Sequence, residues 1–272
     1  MPDDPADRTP PPDPQGSAAA VARFGGLVAT GRPPLDRAAL EIARIARPDA
    51  DVSAALAELD RLAAGVTSVD DLVVRLYSEE GFRGNSENYY DPRNSSLVEV
   101  LERRVGIPIS LAVVVIEVGR RAGLTLEPVG LPGHFLVRPA GSVWHLDPFT
   151  GTLLDEADCR ALFVAATGAS GAGFRPELLE PIGVESVLLR MLTNLRFVHR
   201  AAGRLPELQR VLEARLHLPG VSGEELVELA ATFGHRGEYL HAARMLEAWA
   251  ERRPRAAALL ARHARAWRAH LN

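Results

Sequence analysis

A chain of 272 residues, 47% hydrophobic and 24% charged with a net charge of −4, has the composition of an ordinary globular protein with room for one domain plus an appendage. All 31 basic residues are arginine, and no run of them makes the dense stripe that a phosphate backbone demands, which argues against nucleic acid as a partner. No apolar stretch reaches the roughly 18 residues of a membrane helix, so a membrane role is not expected either.

The first stretch, Met1 to Gln15 (MPDDPADRTPPPDPQ), places acids and prolines where a secretory signal needs positive charge and an apolar run. Residues 1–17 are therefore expected to be a disordered tail. Cys159 is the only cysteine, so neither an intramolecular disulfide nor a cysteine-built zinc or iron–sulfur site is available. These features point to the cytoplasm. From Ala18 to Leu62 the apolar residues, among them Leu40, Ile42, Ile45 and Ala46, recur at helical spacing. Pro48 breaks the run, Val52 to Leu62 reads as a further amphipathic helix, and another is expected between Val69 and Tyr77. Gly81 to Ser96 (GFRGNSENYYDPRNSS) is different in kind, rich in turn-forming and hydrogen-bonding residues of the sort that often line sites.

The clearest helix spans about Pro108 to Ala122. Proline suits the first helical position, the apolar body predicts burial, Arg120 and Arg121 suit the negative end of the dipole, and Gly123 can stop the helix. Two strands follow, His134 to Pro139 and Ser142 to Asp147, with Ala140-Gly141 between them as a hairpin turn. A turn centred there sets His134 opposite Asp147 and Val137 opposite Trp144. Phe135, Val137, Trp144 and Leu146 then share an apolar face toward the core, while His134, Arg138, His145 and Asp147 open onto a cleft. Farther on, Arg210 to Arg215 (RVLEAR) is echoed 34 residues later by Arg244 to Trp249 (RMLEAW), with Gly203 and Gly237 at the same offset. A period near 34 is that of tetratricopeptide helix pairs, and a single echo predicts a short array that leans on the preceding domain.

NYYDPRNSSLVEVLERRVGIPISLAVVVIEVGRRAGL, GLPGHFLVR and HLDPFTG, followed by RMLTNL and the echo, resemble the bacterial transglutaminase-like proteins with C-terminal tetratricopeptide repeats (SirB type), over roughly Pro34 to Pro254. The resemblance implies an α+β fold related to papain and transglutaminases. A domain over 18–183 with N-terminal helices would precede an all-α tetratricopeptide-like segment over 184–272. Fold alone implies no activity.

Active members of that superfamily place a cysteine at the start of a buried helix, a histidine on a later strand and an aspartate on the next; dipole and imidazole lower the thiol pKa. His134 and Asp147 match the second and third parts. The first part falls on Pro108, so the nucleophile position is vacated. Ser110 lies two residues on, about 200° round the helix from the vacated direction. Cys159 sits in a later helix and reads as a buried structural thiol. Without the resemblance, His134 and Asp147 read as a cross-strand pair finishing a polar edge, and His145 as an edge histidine. Asn88, Tyr89, Asp91, Arg93 and Asn94 read as turn builders that brace one cleft wall. Three functional readings stay open. The favoured one is a pseudoenzyme or scaffold that binds protein or peptide and needs no cofactor. A second is an amide hydrolase or acyl transferase using Ser110 with His134 and Asp147, and a third is a metal site on His134, His145 and Asp147.

Overall fold

The structure, a computed structural model, describes residues 13–168 and 171–271. Most of the expected tail (1–17) lies outside the described residues, but its end is corrected: helix α1 (Pro14–Val28) begins at Pro14. Asp13 caps it, accepting from the Gln15 and Gly16 amides, and Pro14 occupies a position where a missing donor costs nothing. Ser17, inside the predicted tail, is buried and donates to Ile45 O at 2.8 Å.

Helices α2 (Leu35–Ala46) and α3 (Val52–Ala63) complete the first helical stretch. It breaks at Pro33-Pro34 as well as at Pro48, because proline has no N–H to continue a helix. Helix α4 (Val69–Val73) runs on into a π-helical stretch, Val74–Glu79. Beyond it, strand β1 (Arg83–Gly84) pairs in parallel with β2 (Val105–Gly106), and helix α5 (Leu97–Arg103) lies between them. Helix α6 (Pro108–Arg121) forms the centre of the molecule: every residue from Pro108 to Gly119 is buried, as its apolar sequence predicts.

Strands β3 (Leu126–Val129), β4 (Leu136–Pro139), β5 (His145–Asp147) and β6 (Thr152–Leu154) form an antiparallel sheet in chain order. The predicted hairpin is present, but its register is corrected by two residues: Val137 pairs with Leu146, not Trp144. The connection is longer than a two-residue turn, with Ser142 N–H bonded to Pro139 O and Trp144 N–H to Ser142 Oγ. A shift of two leaves every side chain on its predicted face. Phe135, Val137 and Leu146 accordingly join α6 in the main core, whereas Trp144, expected beside them, lies in the connection and is 47% exposed. The other face is covered rather than open: Leu136 packs with Cys159 and Phe163 of α7 (Glu156–Thr167) in a second core.

The rest of the described chain is helical after two short 3₁₀ turns: α8 (Val184–Ala201), α9 (Leu205–Arg215), α10 (Gly223–Gly234), α11 (Tyr239–Arg252) and α12 (Ala257–Ala269). Val187, Leu188, Met191 and Leu192 of α8 and Val211 of α9 enter the main core, so packing crosses residues 183 and 184 without a gap. Helices α10 to α12 bury a separate cluster around Leu226, Leu246 and Leu260.

Candidate functional site

His134 follows a turn in which its N–H donates to Leu131 O at 3.0 Å, and β4 begins two residues later. Its Nε2 lies 2.8 Å from Asp147 Oδ1 at the end of β5. A carboxylate only accepts, so Nε2 is the donor in this pair. Asp147 is held from the other side as well, by Phe149 N–H at 2.9 Å and Thr150 Oγ1 at 3.0 Å. Tyr77, from the π-helical stretch, donates to Pro148 O at 2.9 Å; burial, then the Asp147 charge, raise this phenol far above its usual range. Gly84 N–H bonds Phe149 O, and a Cβ on Gly84 would come within 2.3 Å of the Phe149 ring. Only glycine lets the loop after Asp147 close down on β1.

The neighbouring amide, Asn85 N–H, bonds Gly106 O at 2.9 Å. Residues 84 and 85 thereby stitch the loop after Asp147 to the turn that enters α6, which brings the helix start beside the pair. Pro108 stands there, buried at the first helical position. Ser110 is fully buried, and its hydroxyl is committed: it accepts from Ile107 N–H at 3.1 Å and donates to Asn94 O at 2.5 Å. Among the described residues no hydrogen bond joins Ser110 to His134. Cys159 sits in the second core with Leu136 and Phe163, and burial first, with the nearby acids Asp158 and Asp155, pushes its thiol up to about 12. His145, expected at the cleft edge, is 4% exposed; burial and the Arg138 charge lower its pKa. Among the described residues no group of three histidine, cysteine or acidic side chains is arranged to hold a metal, so His145 does not complete a site with His134 and Asp147.

The loop residues build the wall around Asn94, which is fully buried. Its amide nitrogen donates to Asn88 O at 2.7 Å and Tyr89 O at 3.2 Å, its side-chain oxygen accepts from Asn85, and its carbonyl receives Ser110. Asp91 accepts a forked pair of bonds from Arg93. Burial would raise the Asp91 carboxyl, but the Arg93 hydrogen bonds outweigh it and hold it below the usual carboxylate range. Tyr89 packs on Phe149, ring centres 6.5 Å apart, and Phe149 meets the His134 ring edge-on at 6.2 Å.

Arg190 on α8 has no role in the sequence reading, although it opens the RMLTNL segment. One of its terminal nitrogens donates to Leu131 O at 3.0 Å and to His134 O at 2.7 Å, tying down both ends of the turn that presents His134. Histidine, aspartate and a helix start are thus together, and the pair can bind, orient or move a proton.

A family profile described as the transglutaminase-like superfamily matches residues 35–193. A UPF0162 protein of Xylella fastidiosa is 38% identical over 174 residues, which are 61% of this chain and 62% of the relative. A UPF0162 protein of Pseudomonas aeruginosa is 36% identical over 195 residues, 66% of this chain and 72% of the relative. F-box only protein 21 of Mus musculus is 33% identical over 139 residues, 47% of this chain but 21% of that protein. The chain thus spans about six-tenths of the length of the Xylella relatives. No solved structure gives a significant match. Among the described residues no helix is long and apolar enough to cross a membrane. With the family match running from the start of α2 into α8 and containing the histidine, the aspartate and the buried helix between its ends, the chain belongs to the transglutaminase-like superfamily.

Proposed function

We propose that this chain binds a protein or peptide at the His134–Asp147 cleft without forming an acyl intermediate, as a pseudoenzyme or scaffold. The observation that carries the reading is at the start of α6: Pro108 offers no nucleophile, and the Ser110 hydroxyl is spent on Ile107 and Asn94. A histidine and an aspartate alone can move a proton but cannot attack an amide carbonyl and hold the acyl group. No cofactor is needed for such a role. The finer kinship with SirB-type proteins carrying tetratricopeptide repeats belongs to the same proposal, with residues 18–183 as the cleft domain and 184–272 as a helical-repeat segment. Two features support it. The 34-residue echo falls on α9 and α11, and Gly203 and Gly237, ahead of those helices, take φ of 66° and 81°. The cytoplasmic assignment rests on Cys159 being the sole cysteine.

The test is labelling of the full chain with serine- and thiol-directed electrophiles, joined to capture from a displayed random-peptide library. We expect no stoichiometric labelling of Ser110 or Cys159 that depends on His134. His134→Ala should weaken peptide capture while shifting stability by about 1 kcal/mol or less, because Asp147 retains two other donors. Labelling of Ser110 that vanishes in His134→Ala would establish the amide hydrolase or acyl transferase instead.

A further inference from the structure

The Arg190 guanidinium is half-buried, stacked over the Phe135 ring at 5.6 Å, and bonded through one nitrogen to two carbonyls. No carboxylate pairs with it among the described residues; burial lowers its pKa, and the nearby Tyr89 phenol acts against that. A guanidinium taken partly out of water without a counter-charge is costly, and carbonyls offset only part of that cost. Arg121 at the other end of α6, by contrast, reaches three carboxylates.

The surface beside Arg190 is aromatic and open. Phe197 lies seven residues further along α8, hence on the same helix face. Its ring packs on Tyr90 at 5.6 Å, Tyr90 on Tyr89 at 5.4 Å, and Tyr89 leads through Phe149 to His134. Tyr89, Tyr90 and Phe197 are 41%, 63% and 48% exposed, a contiguous strip of large rings that a solvated surface does not explain.

We infer that Arg190 is an anion subsite of the cleft, and that the ligand is an acidic peptide. Its carboxylate pairs with Arg190, and a neighbouring apolar side chain lies on the Tyr89–Tyr90–Phe197 strip. The charge makes the choice: a bare apolar strip would accept any hydrophobic segment, but an arginine lacking its carboxylate selects one that brings it. The inference rests on the peptide-binding reading above and names the chemistry of the ligand.

The test uses the full chain and a displayed random heptapeptide library, followed by fluorescence anisotropy on an enriched peptide and on the same peptide with its acid replaced by the amide. Enriched peptides should carry Asp or Glu next to an aromatic or aliphatic residue. Removing the peptide's charge should weaken binding to the wild type about tenfold to a hundredfold. In Arg190→Gln, which can still donate to the Leu131 and His134 carbonyls, the same peptide change should have almost no effect. Arg190→Lys should keep much of the acidic preference and controls for loosening of the turn. Enrichment without acids, or an equal charge penalty in wild type and Arg190→Gln, overturns the anion subsite and leaves peptide binding standing. No enrichment over a non-binding control overturns both.

Discussion

At the C-terminal end of α6, Glu117 and Asp36 are carboxylates only 2% and 5% exposed, and Arg121 reaches them at 2.7 and 2.6 Å while also holding Asp60 at 2.7 Å. At the N-terminal end Ser110 and Asn94 are neutral and bonded chiefly to backbone, the buried Asp147 carboxylate is held by His134, Phe149 N–H and Thr150 with no arginine, and the nearby Arg190 has no carboxylate among the described residues. One end of the helix closes its charges on itself. The other keeps an arginine, an imidazole and exposed rings on the side where a ligand can arrive. The difference teaches that buried charge in this molecule is not uniformly structural: where it is structural, it is fully paired.

The sharpest way to break this comparison is Arg121→Ala. It leaves two buried carboxylates with Arg120, itself 58% exposed, as their one cationic partner among the described residues, so chemical denaturation should show a loss of about 3–5 kcal/mol. A loss under about 1 kcal/mol would show that the network is no more structural than a surface pair.

A middle-sized effect concerns His199 on α8, which is 2% exposed and whose pKa burial, followed by the Arg204 charge, lowers from 6.5 to about 4. Between those values the unfolded chain takes up a proton that the folded chain refuses. Stability should therefore be unaffected by this group above about pH 6.5, fall as pH drops toward about 4, and level off below that. Thermal melts of wild type and His199→Gln across this window should differ in slope. Parallel curves would show that His199 does not resist protonation and that α8 tolerates a second buried cation.

The smallest expected effect tests the neutral end. Ser110→Ala removes the acceptor for Ile107 N–H and the donor to Asn94 O, which should cost about 1–2 kcal/mol and leave peptide capture unchanged. Abolished capture with unchanged stability would move Ser110 from bracing to function.

Much of the architecture was legible locally. Pro108, the apolar body and Gly123 bound α6, because a helix start, a buried face and a stop are each written within a few residues. The meeting of His134 with Asp147 was legible too, although the register is off by two, because strand side chains alternate and an even slip preserves the face. Burial of His145 and exposure of Trp144 were not: one depends on the core around α7 that covers the second sheet face, the other on the length of the β4–β5 connection.

Arg190 marks the limit most clearly. Its bond to the His134 carbonyl joins residues 56 apart, and its lack of a carboxylate among the described residues is a property of everything packed around it. Sequence alone determined which segments become helices and strands and which side chains share a face, because periodicity and chain stereochemistry act over neighbouring residues. Tertiary structure alone decided which polar groups are satisfied and which are left for a ligand, because hydrogen-bond and charge partners are supplied by elements that only folding brings together.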